Sequence, residues 1–259
     1  PHINITDHYI SKDNTKGNRH VKTNEEAAFL GLQILTKKSA EPLEMAKAYL
    51  ALYDKYLPAP MILDSTFYYL NLVNSKSTEQ FKTLIHYYFN RQDYSKIIAL
   101  SQQPVEFQDA WTAYRIGEAF YKSGNLPSAL NYYQLATTEM PYHLEFQEKL
   151  GTTQIQLQQI PQAIKTLEWV LQEDETRAIA WCNLGYAYLL KRQVDKALNY
   201  YDRAIALNPD YEQALLNKAA VKLLQKEVKT AQSLLNRVLQ INPENAQAKA
   251  ILEQLNLNG

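Results

Sequence analysis

The sequence predicts an all-α fold, a solenoid of paired helices. Three observations predict it: a 34-residue recurrence of small residues, turn-forming residues at fixed points between helical stretches, and proline closing most of the repeats. Gly117, Gly151, Gly185 and Ala219 stand 34 residues apart, and Ala129, Ala163, Ala197 and Ala231 keep the same step. Large and medium residues recur with them: Tyr133, Leu167, Tyr201 and Leu235, then Ala136, Val170, Ala204 and Val238. Residues without bulk at the first two series let the two helices of a pair approach closely, while larger ones fill the space between pairs. The chain is 46% hydrophobic over 259 residues, enough for a large core, and a period of this length favours an elongated stack over one compact globule.

Residues 1–23 have no helical period and hold three of the five histidines, so they are expected to form an extended lead-in. Within it, residues 3–10 alternate weakly between apolar and polar, and SKDNTKGN favours turns, which predicts a short strand-like piece followed by a loop. Asn24 is a candidate helix N-cap, with Glu25 and Glu26 in the first turn and Ala28, Leu32 and Leu35 on one face; this helix is expected to end near Lys38. Pro42 opens a helix through about Tyr56, in which Ala46, Leu50 and Tyr53 have the spacing of the second helix of a repeat and Pro58 follows as its closing proline. Further helices fall near 62–73, 77–90 and 94–102, with turns at NSKS and RQD. The markers are missing here, so residues 24–105 form divergent helices of open pairing.

Residues 106–243 carry four regular repeats, with turns at KSGN, QLQQ, KRQ and QKE between their helices. Pro141, Pro209 and Pro243 close three of them and Glu175 stands in the fourth place; Met140, Asn208 and Asn242, each before a proline, mark where second helices end. Residues 244–259 place Ala248, Ile251, Leu252 and Leu255 on one stripe, a capping helix and tail that seals the end of the stack.

Composition excludes several functions. Lys plus Arg equals Asp plus Glu at 27 each, so no net field draws nucleic acid or an anionic membrane. No apolar run reaches the roughly 18 residues of a membrane span, and no signal peptide is expected within these residues. Cys182 is the single cysteine, which excludes an internal disulfide framework or an all-cysteine metal site. No G-x-S-x-G, Gly-rich phosphate loop, H-E-x-x-H or C-x-x-C occurs, and His86 and His143 are isolated on helices. Neither an enzyme, nor a metal, nor a cofactor held by this chain alone is expected. The chain opens Pro1-His2 without an initiator Met, and its natural start is expected upstream.

The stretch AWCNLGYAYLLKRQVDKALNYYDRAIALNP, residues 180–209, resembles the tetratricopeptide repeat at each signature position: counting from Ala178, Trp181 falls at 4, Leu184 at 7, Gly185 at 8, Tyr188 at 11, Ala197 at 20, Tyr201 at 24, Ala204 at 27 and Pro209 at 32. The resemblance implies a right-handed superhelix whose first helices line a concave groove that binds another protein or peptide, with no nucleic acid or membrane span involved. It leaves the partner and the oligomeric state open. The groove positions implied are Trp111, Tyr114, Glu118, Tyr121, Lys149, Thr152, Asn183, Tyr186 and Asn217, where rings beside amides and charges suit peptide recognition. Tetratricopeptide domains that grip acidic chaperone tails share a Lys/Asn/Arg clamp; this chain has Tyr114, Glu118, Lys149, Ile179 and Asn183 at those places, so that clamp is absent.

The opening PHINITDHYI resembles the stretch after the last haem-attachment motif of multihaem c-type cytochromes that end in a tetratricopeptide array. That resemblance implies haem c in an intact, longer protein, with His2 and His8 as distal ligands and a periplasmic location; without it the expectation is a cytoplasmic scaffold. Two function classes follow: a protein-interaction scaffold, and the docking half of an electron-transfer protein.

Overall fold

In the computed structural model the described residues are 32, 41–74 and 76–257. The lead-in 1–23, the helix expected over 24–38 apart from residue 32, and the haem-ligand candidates His2 and His8 lie outside them. Thirteen α-helices are present among the described residues, and no strands. The chain divides into two compact units, residues 1–107 and 108–259.

The first unit contains α1 (Pro42–Lys55), α2 (Pro60–Asn71), α3 (Thr78–Asn90) and α4 (Tyr94–Ser101). Proline opens α1 and α2, after Glu41 and Ala59 in extended geometry, because its fixed φ suits the first turn and its missing N–H costs nothing there. The helix expected near 62 therefore starts two residues earlier. Ser77 and Asp93 cap α3 and α4 by accepting from Gln80 N at 3.1 Å and Lys96 N at 3.2 Å.

The pairing left open by the sequence is α1 with α2 and α3 with α4. Ala46 and Leu50 of α1 are buried against Leu63 and Leu70 of α2 and Tyr87 of α3. That face, expected to serve the second helix of an earlier pair, also packs forward along the chain. Rings replace the small-residue markers: Tyr49 stacks on Tyr69 at 5.6 Å and Phe67 on Tyr87 at 5.5 Å, which holds helices together without requiring glycine at the crossing.

The second unit is a solenoid of tetratricopeptide-type helix pairs: α5 (Ala110–Lys122) with α6 (Leu126–Glu139), α7 (Leu144–Gln156) with α8 (Ile160–Glu173), α9 (Ala178–Leu190) with α10 (Val194–Leu207), and α11 (Glu212–Leu224) with α12 (Val228–Ile241). Helix α13 (Ala246–Leu257) packs on α12, where Ala248, Ile251, Leu252 and Leu255 cover Leu235 and Val238. The glycines sit where the helices of a pair cross. A Cβ on Gly117 would stand 2.9 Å from the Tyr133 ring, one on Gly151 2.8 Å from Leu167, and one on Gly185 2.6 Å from the Tyr201 ring.

Each first helix ends at a residue of positive φ, again 34 residues apart: Gly124 (φ 80°), Gln158 (59°), Arg192 (59°) and Lys226 (63°). All four lie in the turns expected at KSGN, QLQQ, KRQ and QKE, but only the first is glycine, so the left-handed conformation of the other three was not legible in the sequence. A non-glycine residue there carries roughly 1–2 kcal/mol of strain, part of which the greater freedom of glycine in the unfolded chain offsets. Arg192→Gly is therefore expected to leave stability unchanged or raise it by up to about 1 kcal/mol, measured by urea unfolding. A lower midpoint would contradict the assignment.

Candidate functional site

The first helices α5, α7, α9 and α11 present four aligned stripes. Each stripe takes one residue per helix at the 34-residue step: Trp111, Glu145, Ile179, Gln213; Arg115, Lys149, Asn183, Asn217; Glu118, Thr152, Tyr186, Ala220; and Lys122, Gln156, Leu190, Leu224. Along any one helix these residues are spaced i, i+4, i+7, i+11, which is a single face. The face is charged on α5 and α7. On α9 it turns largely apolar, with Ile179 47%, Tyr186 42% and Leu190 37% exposed, and α11 carries Gln213 and Asn217 with Leu224 75% exposed at its end.

Many of the polar groups on this face hold one repeat to the next. Lys149 Nζ lies 2.8 Å from Glu118 Oε1, and Tyr133, whose hydroxyl titration burial and then Glu118 push far up, also donates to that carboxylate. Asn183 Nδ2 donates to Thr152 Oγ1 at 2.8 Å, and Thr152 donates in turn to the Glu148 carbonyl at 2.7 Å. Gln156 Nε2 donates to Tyr121 Oη at 2.6 Å, and Asn217 Nδ2 to Cys182 Sγ at 3.5 Å. Arg177 binds Glu148 through Nε at 3.2 Å and Nη2 at 2.5 Å. Apart from the Tyr133–Glu118 and Thr152–Glu148 bonds, which stay within a repeat, these contacts span 29 to 35 residues of sequence, the interval between equivalent or near-equivalent positions of consecutive repeats.

The nine residues picked from the sequence therefore divide by environment. Tyr114 is 6% exposed: it stacks on Phe146 at 4.7 Å and donates to Glu145 Oε1 at 2.6 Å. Glu118 is equally buried, held by Tyr133 and Lys149. Trp111 stays 40% exposed, with its ring edge-on to Phe146 at 5.0 Å and the Arg115 guanidinium 5.6 Å from its centre. Tyr121, Lys149, Thr152, Asn183 and Asn217 are half-buried, and Tyr186 is exposed.

Ile179 and Leu224 were not picked as contacts, although a signal existed. Apart from tyrosines, Asn183 is the only side chain of AIAWCNLGYAYLL that is neither apolar nor a thiol, so this helix is apolar on its outer face as well as its inner one. Burial pushes the Cys182 thiol up to about 12, which makes it a packing residue rather than a nucleophile.

Among the described residues no three His, Cys, Asp or Glu side chains gather as metal ligands would. No described helix is long and apolar enough to cross a membrane.

Residues 178–211, which span α9 and α10, match the family model of the tetratricopeptide repeat. A stretch of 115 residues is 26% identical to cell division cycle protein 27 homolog A of Arabidopsis thaliana, covering 44% of this chain and 16% of that protein. The chain thus spans about a sixth of that relative's length. Among solved structures, PilF of Pseudomonas aeruginosa superposes with a TM-score of 0.58 at 17% identity, over 82% of this chain and 99% of that one. A MamA RS-1 double mutant gives 0.56 at 18% identity, over 67% and 99%. At these identities the two structures show a shared fold.

Proposed function

We propose that this chain is a protein-interaction scaffold whose second unit binds a peptide or helix of a partner protein across α5, α7, α9 and α11. The observation that carries this reading is the exposed apolar patch of Ile179, Tyr186, Leu190 and Leu224. The fold leaves these side chains in water on one face of consecutive helices, where large apolar groups are costly unless something covers them. The match of residues 178–211 to a repeat family and the likeness of part of the chain to cell division cycle protein 27 support the same role. Apolar side chains of the ligand seat on α9 and α11, its charged or polar groups meet α5 and α7, and Asn183, between Ile179 and Tyr186, presents its amide oxygen to the ligand backbone.

Selecting a random-peptide phage library on the wild-type chain and measuring the winners by calorimetry tests this. Tyr186→Ala and Leu224→Ala are each expected to weaken binding by about 1–2 kcal/mol while leaving the far-ultraviolet circular dichroism unchanged. Tyr114→Ala is the wrong probe, because its buried ring packs α5 on α7 and its loss would disturb the fold. Equal affinity for the Tyr186→Ala/Leu224→Ala double variant would remove this face as the site.

A further inference from the structure

The outer side of the second repeat departs from its neighbours in a way that packing does not explain. In the third repeat the space between first and second helix is filled by rings: Trp181 lies 5.6 Å from Tyr200, and Tyr188 5.2 Å from it. At the same three positions the first repeat has Ala113 with Phe120 on Tyr132 at 5.6 Å, and the fourth has Leu215, Lys222 and Leu234. The second repeat puts Gln147, Gln154 and Thr166 at those three positions and leaves an open cleft of about 530 Å³ between Pro141 and Trp169. At its rim Trp169 meets Tyr142 at 5.9 Å with the planes inclined by 49°. Two amides and a hydroxyl in place of the third repeat's rings forfeit packing, and the groups gained are oriented.

Thr166 Oγ1 donates to Gln154 Oε1 at 3.0 Å, which turns the Gln154 amide nitrogen toward other acceptors; Gln154 is 7% exposed. Gln147 Nε2 donates to the Pro141 carbonyl at 2.9 Å, which leaves its own oxygen as an acceptor. The cleft therefore offers fixed donors and acceptors side by side, under two aromatic walls and beside Lys165. A cation is disfavoured by the lysine, and an anion by the absence of a second positive group among the residues lining the cleft. A polyhydroxylated ring fits: its hydroxyls both donate and accept, and its C–H face suits the electron-rich face of a tryptophan. The cleft volume lies within the usual range for small-ligand sites.

We propose that the cleft of the second repeat is a binding site for a neutral saccharide ring, stacked on Trp169 and Tyr142 and hydrogen-bonded by Gln147, Gln154 and Thr166. It lies on α7 and α8, away from the apolar patch of α9 and α11, and does not depend on that patch being a peptide site.

The test is saturation-transfer NMR on the full chain with glucose, N-acetylglucosamine, maltose and cellobiose as probes. At least one probe is expected to bind saturably with a dissociation constant on the order of 1 mM. Trp169→Ala should weaken that binding more than tenfold. The Gln154→Tyr/Thr166→Tyr variant copies the Tyr188 and Tyr200 pair of the third repeat, so it should keep the wild-type melting curve and lose the saccharide. Absence of saturable binding by all four probes to the wild type overturns the proposal, as does undiminished binding in the filled variant. Phage-selected peptides should bind the filled variant as they bind the wild type, which separates this outcome from failure of the groove.

Discussion

Gly185→Ala is expected to destabilise the chain by about 2–3 kcal/mol, lowering the midpoint of chemical unfolding without changing the native circular dichroism spectrum. A Cβ at this position would stand 2.6 Å from Tyr201 Cε1 and 2.7 Å from Cδ1, distances that no relaxed contact tolerates. The ring cannot swing away, since Tyr201 is fully buried among Ala197, Ala204, Ala214 and Val221. Relief requires α9 and α10 to separate, which loosens every contact between them. The fourth repeat supplies the rescue: it places Ala219 opposite Leu235, and both are fully buried. Tyr201→Leu in the Gly185→Ala background rebuilds that pair and should recover more than half of the loss. The hydroxyl given up has no hydrogen-bond partner in the native structure, so its removal costs no bond. An unchanged midpoint for Gly185→Ala, or a double variant no more stable than the single, would show that the crossing is not set by this contact.

The same contact explains why so much of the second unit was legible. A close helix crossing constrains two residues by excluded volume alone, so Gly117, Gly151 and Gly185 and their partners Tyr133, Leu167 and Tyr201 leave a trace in the sequence at a fixed step. Where rings make the crossing, as Tyr49 and Tyr69 do in the first unit, many residue combinations serve and no step survives. The groove was legible as a set of positions but not as a set of environments. Counting places Tyr114 and Glu118 on the groove side, yet whether each is spare or spent depends on partners in the next repeat, Glu145 and Lys149, about one period away and of no fixed type. Ile179 and Leu224 escaped notice for the opposite reason. An apolar residue in a helical repeat is taken for core until its exposure is known, and the fold leaves these two 47% and 75% exposed.

Breaking the contact between the second and third repeats should have the larger effect. Arg177→Met is expected to cost about 3 kcal/mol, because it leaves the Glu148 carboxylate buried without its counter-charge. The Glu148 side chain is 5% exposed and receives both Nε and Nη2 of Arg177, whose guanidinium that hydrogen bonding holds even more firmly protonated than usual. Arg177 is the N-cap residue of α9 and Glu148 lies in the middle of α7, so the pair fastens one repeat to the start of the next. An exposed pair serves as the control: Arg237 and Asp210 approach only to 3.9 Å with side chains 42% and 75% exposed, so Asp210→Asn should change stability by less than about 0.5 kcal/mol. Removing both charges, in Glu148→Gln/Arg177→Met, should recover most of the loss, since a neutral amide is far cheaper to bury than an unpaired carboxylate. A single variant as stable as wild type, or a double variant no more stable than the single, would mean that the carboxylate finds water instead and that the repeats are held by their apolar contacts alone.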